Sequence, residues 1–291
     1  MFTRLETGSL KWPLESQNRK RGNLMIIWIV SYLLLGVVTG FLAGLFGIGG
    51  GAVMVPVLTV MFVAQGFAPE YVVHLALGTS MAAIVPTSIA SMRAHHGHGA
   101  VLWPAVRGLA PGIVVGTFAA TFLAAWLSPQ PLAIFFCLFM TYVAAQMILN
   151  RKPDPARELP GLAGLSMVGG GIGGVSALVA IGGGTMTVPF LVWCNVRLQT
   201  AIGTSAAVGL PIALAGSMGY LLNGWGVDSL PAFTLGFIYW PAVLAMAAAS
   251  FLSAPLGARL AHTLPVATLK KLFAALVIVL ALQMLRTVLD Y

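Results

Sequence analysis

Long apolar stretches separated by short polar gaps dominate this chain. The first runs from Leu24 to about Phe46, and as a helix rising 1.5 Å per residue it is long enough to cross a hydrocarbon core of about 30 Å. Ala52 to Ala64 is a shorter apolar piece, followed by the polar gap Gln65 to Glu70. Further spans are predicted from about Tyr71 to Met92, Val101 to Leu127 and Leu132 to Leu149. Asn150 to Pro160 is the longest internal polar stretch and marks a boundary. Two glycine runs interrupt the pattern, Gly47-Ile48-Gly49-Gly50-Gly51 and Ile181-Gly182-Gly183-Gly184. Each glycine lowers helix propensity by about 1 kcal/mol, so a continuous helix through either run is not expected.

The second half repeats the first. Gly36, Gly40 and Gly49 to Gly51 recur as Gly169, Gly173 and Gly182 to Gly184, 133 residues on. Gly78-Thr79-Ser80 and Pro86 recur as Gly203-Thr204-Ser205 and Pro211 at a shift of 125, and Trp103-Pro104-Ala105-Val106 as Trp240-Pro241-Ala242-Val243 at 137. The chain therefore divides into a polar tail, 1–23, a first transmembrane repeat, 24–149, a linker, 150–160, and a second repeat, 161–291. The predicted fold class is an all-α polytopic membrane protein of about eight transmembrane helices, in two homologous four-helix halves with glycine-broken first helices. Counting each broken segment as one crossing groups the tail with the Arg93 to His98 and Arg151 to Arg157 segments, a cytoplasmic grouping under the positive-inside bias. An even number of crossings per half makes the repeats parallel; an odd number makes them inverted. Met25, at the head of the first span, is an alternative start.

Composition narrows the function. A mean hydropathy of +0.95 with 8% charged residues is far from a soluble domain, where about a quarter are charged, so the lipid bilayer is the surrounding partner. The net charge of +8 comes from basic residues scattered at span ends, which does not suggest nucleic-acid binding. Cys137 and Cys194 have neither disulfide nor metal spacing. All seven acidic residues lie in tails or polar gaps. Cation and proton pathways commonly use a buried carboxylate, so a cation pump is disfavoured. No span holds paired acids, a Ser-His arrangement or a metal-ligand set, which argues against an enzyme, and no cofactor is expected.

What the spans offer is anion chemistry. Broken backbone at membrane depth is tolerated only inside protein or beside a wet cavity, and paired interruptions in two halves point to a transporter's binding site. A helix that starts after a glycine run presents unpaired N–H groups and a positive dipole end. Candidate substrate-binding residues are therefore Gly49, Gly50, Gly51, Gly182, Gly183, Gly184 and Thr185, with Thr79, Ser80, Thr204 and Ser205 as hydroxyl donors. Thr187 is a further hydroxyl beside them. The alternative is that these glycines serve tight packing and the hydroxyls bond their own helix. Arg93, Arg107, Arg197 and Arg259 sit near span ends, where snorkelling to headgroups is expected. His95, His96 and His98 are expected in a solvated loop.

The glycine runs with their Val-Pro endings at 47–56 and 181–189, and the Gly-Thr-Ser motifs at 78–80 and 203–205, resemble the TauE/SafE family of membrane transporters over about residues 30–289. The resemblance implies a bacterial inner-membrane protein of about eight helices that moves sulfite or organosulfonates. The expected function is export of a small anion by alternating access; an anion channel and a non-transporting subunit of a larger complex stay open as alternatives. Ala52 stands where the second copy has Thr185. Oligomeric state is not readable from the sequence.

Overall fold

A computed structural model describes residues 11–47, 50–149, 158–261 and 266–290. Ten helices are found among them. The first half contains α1 (Lys11–Phe46), α2 (Gly51–Ala64), α3 (Val72–Gly97), α4 (Trp103–Trp126) and α5 (Pro129–Leu149). The second contains α6 (Leu162–Val179), α7 (Gly184–Trp193), α8 (Leu198–Asn223), α9 (Trp240–Ala261) and α10 (Val266–Leu289). A two-residue antiparallel hairpin, Thr234–Leu235 with Ile238–Tyr239, precedes α9. Among the described residues, seven helices are long and apolar enough to cross a membrane. Their outer faces carry bare apolar side chains, including Leu34, Val115, Leu138, Leu244 and Leu252, as lipid contact requires.

Contacts give each helix a direction. Let the near face be the one where α1 enters at Leu24. His95 of α3 bonds the carbonyl of Gly44, so α3 ends beside the end of α1, toward the far face. His74 at the start of α3 bonds the Ala124 carbonyl near the end of α4 at 3.0 Å, which brings α4 back to the near face. Along α1, Gly36, Gly40 and Gly44 meet Met246, Ser250 and Ala254 of α9 in rising order, so α1 and α9 are parallel. Along α4, Gly108, Gly112 and Gly116 meet Leu165, Ser166 and Gly170 of α6 in the same way. Since α4 runs from far to near, so does α6. The two repeats therefore enter from opposite faces and are inverted.

The expected four-helix halves are corrected by these directions. Gly50 lies against Thr39, two turns before the end of α1, and Gln65 at the end of α2 donates to the Tyr32 hydroxyl at 2.6 Å. After its break the chain thus folds back along α1 instead of continuing its course. In the second half Gly183 packs near Ile172, the residue 133 positions after Thr39. Each half has five helices, one of them a short returning piece. The odd number is what inverts the repeats. It also puts the start of α1 and the Arg93 to His98 segment at opposite faces, so these two do not share one side of the membrane.

Small residues are what bring the halves together. A methyl group on Gly36 would lie 2.6 Å from the Met246 carbonyl oxygen, and one on Gly112 would overlap the Ser166 carbonyl. Close backbone approach at such stripes substitutes in lipid for the missing hydrophobic drive between helices. The two tightest seams, α1 with α9 and α4 with α6, both cross from one half to the other.

Candidate functional site

Both helix breaks use left-handed backbone. Gly47 ends α1 at φ 67° and Gly50 opens α2 at φ 79°. In the second half Ala180 takes the first place at φ 48° and Gly183 the second at φ 77°. An L-residue in this region is disfavoured by about 1–2 kcal/mol, and such strain persists where the surroundings enforce it. The new helices begin inside the protein. The Gly50 carbonyl accepts from the amides of Val53 and Met54, and that of Gly183 from Met186 and Thr187. The first helical residues, Gly51 and Ala52 in α2 and Gly184 and Thr185 in α7, have no carbonyl a turn earlier in their helices to bond.

The two breaks come together. Gly51 packs onto the Ala180 carbonyl so closely that any side chain there would overlap it. Gly50, Gly51, Gly182, Gly183 and Gly184 are all buried, and Thr185 is partly so. Between the breaks lies a cavity of about 10 Å³, lined by Gly47 of the first loop, Gly182 of the second, Thr87, Ser88 and Ser91 of α3, and Ala206 and Gly209 of α8. That is room for about one water molecule. Its lining includes no acidic or basic side chain. Gly49 lies outside the described residues.

The paired Gly-Thr-Ser motifs divide in role. The Thr79 hydroxyl accepts the Tyr239 amide at 3.0 Å, and the Thr204 hydroxyl accepts the Leu102 amide at 2.9 Å. Tyr239 and Leu102 are related by the repeat shift of 137, so each threonine holds the entry to the other half's fourth helix. The motif glycines serve the same joint, since Gly78 abuts the Phe237 carbonyl and Gly203 that of Ala100. Both threonines are thus committed to backbone away from the cavity. Ser205 turns toward the first break, its Oγ 2.8 Å from the Ile202 carbonyl and 3.3 Å from that of Gly47. Ser80 Oγ and Thr187 Oγ1 are buried with no hydrogen-bond partner.

Sequence reasoning missed Thr87, Ser88 and Ser91. The signal was present, because Ser88 and Ser91, three residues apart, share one face of a membrane-spanning helix. Ser91 Oγ is buried, lines the cavity and has no hydrogen-bond partner. Thr87 is paired with Ser250 of α9 at 2.6 Å. Arg93, Arg107, Arg197 and Arg259 are exposed, as snorkelling side chains are. The histidines do not share one solvated loop: His96 and His98 are exposed, whereas His95 is fully buried.

A buried junction between two inverted, glycine-broken repeats defines a membrane transporter of the broken-helix class. The family description "Sulfite exporter TauE/SafE" matches residues 32–284, and the chain belongs to that family, whose members are transporters and not enzymes. A probable membrane transporter protein of Haemophilus influenzae is 41% identical over 89% of this chain and 99% of its own length. One from Methanocaldococcus jannaschii is 26% identical over 87% of this chain and 94% of its own, and YdhB of Bacillus subtilis 27% over 69% and 80%. No solved structure matches.

Proposed function

We propose that this protein exports a small anion, sulfite or an organosulfonate, across the bacterial inner membrane by alternating access. One observation carries the reading: the breaks of both halves, at Gly47 and Gly182, meet at one small cavity whose lining residues include Thr87, Ser88 and Ser91 and no charged side chain. Neutral donors that converge on a buried site suit an anion, as helix N-termini do in general. In this reading the first donors are Ser88 and Ser91, which line the cavity, and the first amides of α2 and α7 with Ser80, Ser205 and Thr187 join them when the halves part. A cavity that fits about one water is too small for a sulfur oxyanion, so this state is closed and the halves must part to load it. A gated carrier is favoured over an open anion channel on that ground.

Counterflow of labelled sulfite, methanesulfonate and sulfate in proteoliposomes tests the reading. Saturable exchange of one of the first two is expected; electrodiffusive current without saturation would replace the carrier by a channel. Ser91→Ala should raise KM about tenfold with kcat little changed, as loss of one hydrogen bond to a charged ligand costs at least about 1.5 kcal/mol of uniform binding. An unchanged KM would remove Ser91 from the site.

The far face is cytoplasmic in this reading. Arg93, Arg107, Arg197, Arg259 and Lys271 lie at helix ends there, and Arg151, Lys152 and Arg157 belong to the sequence that joins α5 to α6 on that side. At the near face the helix ends carry Arg286, and Arg19, Lys20 and Arg21 lie in α1 just before Leu24, fewer basic residues than at the far face. The positive-inside bias thus favours the far side. Single cysteines at His98 and Asp228 should be labelled by a membrane-impermeant maleimide from opposite sides of right-side-out cells, Asp228→Cys from outside. Labelling of His98→Cys from outside would reverse the orientation.

A further inference from the structure

The inverted repeats place two different side chains at one equivalent position. His95 Nε2 lies 3.0 Å from the Gly44 carbonyl of α1. Shifted by 125 and 133 residues, the same pair becomes Tyr220 and Ala177, and the Tyr220 hydroxyl donates to the Ala177 carbonyl at 2.9 Å. Each side chain is fully buried and ties the third helix of its repeat to the last turn of the broken helix. At the near end the tie is a phenol, a group that keeps its proton at physiological pH. At the far end it is an imidazole, the side chain that changes charge between about pH 5 and 8.

The same asymmetry extends to the cavity. Thr87, Ser88 and Ser91 on α3 correspond to Ile212, Ala213 and Gly216 on α8, and Ser250 on α9 to Ile113 on α4. In each of these pairs only the far-side member is polar. Ser88, Ser91 and His95 are spaced i, i+3 and i+7, which puts them on one face of α3. Ser88 and Ser91 line the cavity, and His95 lies one turn beyond Ser91, next to the exposed end of the helix.

We propose that His95 binds the proton with which the anion moves, making the protein a proton-coupled anion symporter, which exports only where the outward anion gradient exceeds the inward proton gradient. This rests on the central anion site proposed above. A carbonyl oxygen only accepts, so Nε2 carries hydrogen and the second proton binds at Nδ1. That proton comes from water at the far face and turns neutral imidazole into imidazolium, a positive charge one turn from Ser91 in a site that has none of its own. After the halves rearrange, Nδ1 returns the proton along the Ser91 and Ser88 hydroxyls to water on the opened side. The ring is then neutral again. By linkage, anion and proton each favour the other's binding.

Between Leu24 and Phe46, the only titratable residue of α1 is Tyr32, at its other end. Among the described residues, Arg259 of α9, Arg197 before α8, Lys271 of α10, Arg93 on the same helix, and His96 and His98 beyond it are all exposed.

The test uses the full chain in proteoliposomes loaded with pyranine, a pH-reporting dye, with His95→Gln keeping a donor for the Gly44 carbonyl and His74→Gln as a control. Methanesulfonate is the probe beside sulfite, because its charge is constant over this pH range. In the wild type, anion influx acidifies the lumen, and an imposed inward proton gradient raises net uptake at least fivefold. His95→Gln raises KM for the anion and keeps exchange at saturating anion within about threefold, yet loses both the acidification and the gradient response, while His74→Gln keeps both. Acidification that persists in His95→Gln, or wild-type exchange without proton movement, overturns the proposal. Absence of exchange for every probe in the wild type overturns the anion site instead, and this proposal with it. Independently of substrate, 15N-histidine NMR of the purified protein should show a ring, missing in His95→Gln, that titrates between about pH 5 and 8. A ring neutral throughout that range is a second way for the proposal to fail.

Discussion

Leucine at both Gly50 and Gly183 is expected to abolish anion exchange while the protein still inserts and runs as a folded species in detergent. Both glycines have φ near 80°, where an L-residue is strained by about 1–2 kcal/mol. Space is short as well. A Cβ at Gly50 would lie 2.9 Å from the Thr39 carbonyl oxygen, and one at Gly183 2.6 Å from Ile212 Cδ1. Ile212 can swing aside, but the α1 backbone cannot, so the start of α2 must shift away from the cavity. The bulk of the bundle, held by the α1–α9 and α4–α6 seams, does not depend on these two positions. Saturable exchange at the wild-type rate in the double variant would show that the breaks do not form the site.

Valine at Thr79 and Thr204 is expected to act on stability and not on substrate affinity. Each change keeps the side-chain shape but leaves a backbone amide, that of Tyr239 or Leu102, without its acceptor. A buried polar group left unpaired costs about 1–3 kcal/mol, so the pair should cost about 2–6 kcal/mol. The readout is a lower unfolding midpoint in detergent with KM for the exchanged anion unchanged. A raised KM at unaltered stability would return the two threonines to the substrate site, where the sequence pattern had put them.

That contrast shows why motif residues in one run had to be separated by coordinates. Gly78-Thr79-Ser80 reads as three candidates of equal standing, yet the helix turns successive residues about 100° apart, so threonine and serine face different neighbours. Thr79 meets the segment before α9, whereas Ser80 is buried with no hydrogen-bond partner. The glycine stripes were easier, because a period of four on a helix specifies one face and small residues there have one evident use. Their partners could not be read from the sequence, since any small-residue stripe fits any other.

The broken helices illustrate the same limit at larger scale. Low helix propensity at Gly49 to Gly51 and Gly182 to Gly184 fixes where each helix stops, but not where the chain goes next. A kinked crossing and a returning hairpin share one hydropathy profile. The bonds of Gln65 to Tyr32 and the contact of Gly50 with Thr39 decide for the hairpin. With it come five helices per half and inverted repeats in place of parallel ones.

The sequence alone determined the membrane class, the duplication, the two interruptions and the family, since these depend on composition, spacing and local propensity. Only the tertiary structure decided the direction of each repeat, the meeting of the two breaks at one cavity, and the side of that cavity lined by Ser88 and Ser91. These depend on which residues distant in the chain touch, and in lipid that choice is made by close packing and backbone hydrogen bonds, which leave no periodic trace in hydrophobicity.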